Sequence, residues 1–321
     1  YYVQHFEADI VLSLYDIWSL PPDTKQRIRV PWIGMIPVDG APISKPMLQR
    51  IKMVDYPVSY SKFGHDELQI VGVDSDYIPH AIDLDTFNPG DESKHSIRQR
   101  LNLPRDAFLI TIVAANKGYP PRKSWPEMFA AFKLFKEKYP EAILYCHTTK
   151  EPLGSAGSGM YMDVLRDNVL RSGLPPNSVY FSHPKDLAIG ATDKAIADIY
   201  RTSDVLLLAS RGEGFGLPVL EAQACGTPVI TTDCSAMSEL TVNGIATEPL
   251  QPQWIPALQY YWHVPSIKRV ADALAQIFHM KESDRRENRS KGLEFVQKYA
   301  WDHVWQEYWR PFFDKVEETL W

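Results

Sequence analysis

The stretch from Val205 to Thr232 leaves this chain little freedom in its choice of fold. Val205 to Ala209 is an unbroken apolar run, long enough for a strand buried on both faces and too short for a buried helix. Polar residues follow, then glycines at 212, 214 and 216, a helical stretch from Leu217 to Cys225, and a second strand-like run from Pro228 to Thr232. Strand, glycine turn, helix, strand is the unit of a parallel sheet covered by helices.

The same alternation extends in both directions. Phe108 to Ala115 reads as a strand and Trp125 to Tyr139 as the helix after it. Ala142 to His147 is a strand, Met162 to Ser172 a helix, and the Gly/Ser-rich Gly154 to Gly159 a flexible connection between them. Val179 to Ser182 is a short strand, and Ala195 to Tyr200 lies in a helix. Upstream, Ala8 to Leu14, Pro31 to Ile36 and Pro57 to Ser61 read as strands and Lys45 to Met53 as a helix, forming a smaller lobe. Pro79 to Asp91 is the predicted linker. Near the end, Val270 to His279 is helical, and Lys291 to Trp321 is a long aromatic-rich helix with a break at Pro311. The expected division is 1–83, 84–300 and 301–321, in an α/β protein of two lobes.

Bulk properties remove several classes of function. A formal charge of −6 gives no basic footprint for a nucleic-acid backbone, so no nucleic-acid partner is expected. No apolar run approaches the about 20 residues of a membrane span, so no transmembrane segment is expected. The 3 cysteines form no C-x-x-C pair, which argues against a disulfide framework or structural zinc and fits a reducing, cytoplasmic setting. The first residues, YYVQHFEADIV, show no targeting signal. Asp74-Ser75-Asp76 matches D-x-D formally but falls outside the predicted site, and no metal is expected.

The glycine turn carries the chemistry. Its glycines let main chain approach a phosphate closely, and the N–H groups and dipole at the start of the next helix favour a diphosphate. Glu213 and Glu221, with seven residues between them, point at one pocket, where carboxylates accept hydrogen bonds from vicinal hydroxyls. The spacing G-x-G-x-G, with Asp233 too close behind, differs from the dinucleotide fingerprint, and no G-K-[ST] marks a P-loop.

With SDVLLLAS followed by EGFGLPVLEAQACGTPVITTD, the chain resembles the retaining "group 1" glycosyltransferases of family 4, which have the GT-B fold of two Rossmann-like lobes. The E-x7-E motif of that family matches Glu213 and Glu221. ANKGYPPRKS (Ala115 to Ser124) is similar to the segment where the family places two phosphate-neutralising cations. Lys123 matches one; Asn116 stands where arginine is common, with Lys117 and Arg122 as substitutes that also read as a solvated basic loop. SHPKDL from Ser182 is similar to the base-binding loop and includes His183. ADIVLSLYDIWSL is similar to a first-lobe strand ending near the acceptor, where the family often has a histidine or aspartate facing the donor sugar; Asp16 is the matching residue, and a helix or turn cap its plain alternative. IGMIPVDGAP, VSYSKFG and IPHAIDLDTFNP also look familiar.

The resemblance implies transfer of a sugar from a UDP- or GDP-linked donor, the nucleotide sugar being a co-substrate rather than a cofactor, with configuration kept and no metal. It implies catalytic roles for Glu213, Asp16 and Lys123. Donor binding would fall to Asn116, Lys123, His183, Gly214, Phe215, Gly216, Leu217 and Glu221, with Glu221 on the ribose. The acceptor, a glycan, lipid or small molecule, is left open. The Trp-rich end is similar to the terminal helix that packs on the first lobe, peripheral membrane contact being the alternative. With roughly 80 residues before the linker, the N-terminal lobe is expected to be truncated, as a fragment or a reduced enzyme. A nucleotide-sugar binding module inactive alone is therefore the second reading, and a sugar-nucleotide epimerase the third.

Overall fold

The structure, a computed structural model, describes residues 2–117, 120–149, 165–175, 177–183 and 190–320. The predicted Gly154 to Gly159 connection, the first three residues of the Met162 to Ser172 helix and residues 184–187 of the base-loop segment lie outside them.

The first lobe is built on four parallel strands in the order β1 (Val11–Leu14), β2 (Trp32–Ile36), β3 (Tyr56–Ser59) and β4 (Asp76–Tyr77). β2 is buried throughout, and its side chains separate with the strand period of two. Trp32 and Ile36 join Met47, Ile51 and Leu68 in the lobe's own core, whereas Ile33 and Met35 enter the large core that reaches the second lobe. The Lys62–Ile70 helix was not foreseen. Its apolar spacing is weak and a glycine lies inside it, but the Ser61 hydroxyl accepts from the Gly64 N–H and starts it as an N-cap.

The second lobe holds β5 (Phe108–Val113), β6 (Ala142–His147), β7 (Val179–Phe181), β8 (Val205–Leu208), β9 (Val229–Thr232) and β10 (Ile245–Thr247). They form one parallel sheet in the order β10-β9-β8-β5-β6-β7. Counted along the lobe this is 3-2-1-4-5-6, the doubly wound arrangement in which the direction of winding reverses between β5 and β8. Asp204 stitches that junction: its N–H donates to Leu109 O, its carboxylate accepts from the Leu109 N–H, and Arg98 and Lys94 neutralise it. An antiparallel hairpin, β11 (Pro252–Ile255) and β12 (Tyr260–His263), interrupts the pattern and was also unforeseen.

Ile82 pairs with Ala300, so the chain crosses between lobes twice at one place. From Trp301 it returns to the first lobe. Lys315 pairs with Asp76, Tyr308 meets Tyr77 edge-on at 5.6 Å, and Phe312 meets Tyr56 at 6.4 Å. The helix does not break at Pro311. A π-helical turn, Trp305–Trp309, precedes the Arg310–Leu320 helix, and the wider turn accommodates a proline that has no N–H to donate. Because the buried Phe312 ring ties the terminal helix to the first lobe, Phe312→Ala is expected to cost about 3 to 5 kcal/mol of unfolding free energy in denaturant titration.

Candidate active site

Open parallel sheets take ligands in the crevice at the carboxyl ends of their strands, at the point where the winding reverses. Here that point lies between the loops after β5 and β8, which the Arg211 N–H ties together by donating to Arg122 O at 2.8 Å. The first carries Arg122 and Lys123, the second Ser210 and Glu213. From the opposite lobe, the segments following β1, β2, β3 and β4 bring Asp16, Asp39, Tyr60 and His80.

Glu213 is buried at the centre. Its Oε1 accepts from Lys123 Nζ at 2.5 Å and from Ser210 Oγ at 2.5 Å; its Oε2 accepts from Arg122 Nη1 at 2.7 Å. Its own N–H donates to Ser235 Oγ at 2.8 Å. Burial pushes this carboxyl up, but Arg122 and Lys123 outweigh it and hold the group down at about 2. Glu213 is therefore ionised at neutral pH. Burial draws the Lys123 ammonium below the usual lysine range, with Glu213 opposing.

Arg122 corrects the reading of its segment as a solvated loop. It is three-quarters buried, donates to Gly212 O at 2.6 Å, and its Nε lies 3.3 Å from Asp39 Oδ2. It is the second cation of the site, linking carboxylates from both lobes; burial lowers its pKa, but Glu213 and Asp39 prevail and raise it. Asp39 was not singled out in the sequence, although IPVDGAP contains it. The Tyr260 hydroxyl of β12 donates to Asp39 Oδ1 at 2.7 Å, so the unforeseen hairpin closes the same cluster.

The remaining predicted residues fall in several places. Asp16 is exposed and makes no side-chain cap, so the turn-cap alternative is not what the structure shows. Partial burial and then the negative charge of Asp39 raise its carboxyl, with Lys117 and Arg122 opposing. Asn116 is buried and donates to Thr149 O at 3.2 Å. His183 is exposed just beyond β7. Gly214 is packed so closely that a Cβ there would lie 3.0 Å from Tyr60 Oη and 3.1 Å from Pro37 Cβ. Phe215 is a buried plug between lobes, its ring edge-on to His80 at 5.1 Å and to Tyr60 at 6.2 Å. Burial takes His80 down to about 4, so it is neutral at pH 7.

Gly216, at φ +111°, turns the chain into the Leu217–Ala224 helix, which starts without a side-chain cap. The backbone donors of a helix's first turn have no intrahelical acceptor, so this start suits an anion. Glu221 lies one turn further on. Its Oε2 accepts from Tyr200 Oη at 2.8 Å. Burial lifts the carboxyl to about 7, opposed by that hydrogen bond and reinforced by Asp193. Among the described residues no three His, Cys, Asp or Glu side chains come together as a metal-ligand set, and no helix is long and apolar enough to cross a membrane.

Comparisons with known proteins agree with this fold. Residues 153–259 match the family described as glycosyl transferases group 1. A D-inositol 3-phosphate glycosyltransferase of Gordonia bronchialis is 25% identical over 254 residues, which cover 76% of this chain and 47% of that protein. D-inositol 3-phosphate glycosyltransferase 2 of Catenulispora acidiphila is 30% identical over 167 residues, 51% of this chain and 35% of the relative. The chain thus spans about half or less of the length of these relatives. Among solved structures, sucrose-phosphate synthase from Thermosynechococcus elongatus superposes with a TM-score of 0.74 at 19% identity, covering 99% of this chain and 76% of that one. Anabaena HepE in complex with UDP-glucose gives 0.72 at 16% identity, covering 99% and 80%. Over its second lobe the chain is thus similar to the group 1 glycosyltransferases, and along nearly its whole length it shares the two-lobed GT-B fold of the solved structures.

Proposed function

We propose that the interlobe cleft binds a UDP- or GDP-linked sugar and that the chain transfers this sugar to a glycan, lipid or small-molecule acceptor in the cytoplasm. The reaction is of the family 4 type: configuration is kept and no metal ion takes part. The observation that carries the reading is the Lys123–Glu213–Arg122 cluster, set where the sheet's winding reverses and beside an uncapped helix start.

In this reading the diphosphate lies against the N–H groups of Phe215 to Leu217, and Lys123 neutralises the charge that develops on it as the sugar leaves. Glu213 keeps Lys123 and Arg122 in place and faces the donor sugar. Glu221 accepts hydrogen bonds from the ribose, Asn116 and His183 border the nucleotide side, and Asp16 faces the donor sugar from the first lobe. The solved HepE complexes hold UDP and UDP-glucose, which supports a nucleotide sugar as the ligand class.

A ligand that binds only the folded state raises stability, by about 2.7 kcal/mol at a hundredfold excess over Kd. UDP- or GDP-sugars are therefore expected to raise the melting temperature, and Glu221→Ala to weaken that donor about tenfold or more in calorimetry. No shift with UDP-, GDP- or ADP-sugars would sink the reading. The four-stranded first lobe favours one second reading, a binding module inactive alone. Release of the nucleoside diphosphate from the donor by this chain alone decides for the enzyme.

A further inference from the structure

The Glu221 carboxylate is held from beneath by a residue outside the E-x7-E motif. Tyr200, in the Asp193–Thr202 helix, is fully buried, and its hydroxyl donates to Glu221 Oε2 at 2.8 Å. A buried phenol needs a partner, and among the described residues this carboxylate oxygen is the one acceptor the Tyr200 hydroxyl has. The ring itself is fixed: it lies 6.3 Å from the Phe87 ring, and the Tyr200 carbonyl accepts from Thr227 Oγ1 at 2.7 Å. Glu221 Oε1, by contrast, has no hydrogen-bond partner among the described residues.

We propose that Tyr200 is a positioning residue for the donor: by occupying Oε2 it locks the Glu221 rotamer and leaves Oε1 presented to the two vicinal hydroxyls of the ribose. This rests on the reading of Glu221 as the ribose ligand. A carboxylate free to rotate loses part of its hydrogen-bond energy to ordering, and one already held in place does not. The tyrosine hydroxyl also favours the charged form of the carboxylate, the better acceptor. The groups whose charge reaches Glu221 are few: the Tyr200 phenol and Asp193 from one helix, and the Cys225 thiol from its own.

Tyr200→Phe keeps the ring and removes the hydroxyl. Calorimetric titration with UDP and with GDP is expected to show roughly tenfold weaker binding of whichever nucleotide the wild type takes. Across a pH series, the wild-type affinity should rise as Glu221 ionises, and the midpoint of that rise should move to higher pH in Tyr200→Phe, because the hydrogen bond that lowers it is gone. A merely structural role for Tyr200 would not move that midpoint. Glu221→Gln, which leaves Tyr200 untouched, should abolish the pH midpoint, and a midpoint that persists there would overturn the role even if Tyr200→Phe folds poorly. If Tyr200→Phe binds as the wild type does, with the same midpoint, while Glu221→Gln loses affinity, the positioning role is overturned and the ribose reading stands. Undiminished binding by Glu221→Gln would overturn both.

Discussion

Lys123→Ala is expected to reduce the turnover of a nucleotide-sugar donor by about a hundredfold to a thousandfold, the range found when one fixed group that stabilises developing charge is removed. Its effect on stability should be of similar size. Lys123 and Arg122 are the two cations that hold the buried Glu213 ionised. Removing one partner of a buried pair costs about 3 to 5 kcal/mol, because the remaining charge stays in a poor solvent. Lys123→Arg should restore much of the stability but less of the turnover, since a planar guanidinium cannot place one point charge where an ammonium sits.

The pH dependence of unfolding gives an independent reading. Glu213 has a folded pKa of about 2 against an ordinary 4.5. A depressed carboxyl contributes stability that is fully present above the unfolded value and lost as pH falls toward the folded one. For Glu213 that window runs from about pH 4.5 down to about 2, and the contribution is on the order of 3 kcal/mol. In Lys123→Ala the depression shrinks, so the acid limb should flatten. An unchanged acid limb together with unchanged turnover would remove Lys123 from the site.

Five of the six parallel strands of the second lobe were legible because each is a run of β-branched and apolar residues set between helices of the right length, whereas the three-residue edge strand β10 is too short to stand out. The glycine turn was legible for the same reason: a strand end, three glycines and a helix start within a dozen residues have few other uses. Arg122 was misplaced because charge and loop position suggest solvent, and nothing local records that Asp39, over 80 positions earlier, comes to meet it. Asp39 itself looked like a turn residue. Tyr260 lay in a hairpin whose strands are four residues each and whose alternation is too brief to stand out. Pairwise contacts between lobes leave no periodic trace, so the electrostatics of this site became readable only with the fold. Tyr200 is intermediate: its place in an amphipathic helix marks it as core, but not that its hydroxyl ends on Glu221.

Gly212→Ala should disturb the cleft more than any other single methyl group added to the glycine turn. A Cβ at Gly212 would lie 1.9 Å from the carbonyl oxygen of Asp39 and 3.1 Å from its carbon. Both are backbone atoms of the segment that follows β2, so no side chain can swing away, and the two lobes must separate or the loop must move. Either response strains the Arg122 bridge, whose Nη1 donates to Gly212 O at 2.6 Å. Gly214 supplies the comparison. A Cβ there meets Tyr60 Oη at 3.0 Å and Pro37 Cβ at 3.1 Å, side-chain atoms that a few tenths of an ångström would relieve. Overpacking of this kind costs about 1 to 3 kcal/mol, and the backbone clash belongs at or above the upper end. Melting temperature and donor affinity should therefore fall in the order wild type, Gly214→Ala, Gly212→Ala, and Tyr60→Phe should recover part of the Gly214→Ala loss but none of the other. A Gly212→Ala protein that melts and binds like the wild type would mean that the lobes part at this point without cost, and the cluster joining Asp39, Arg122 and Glu213 would then be a contact the protein can do without.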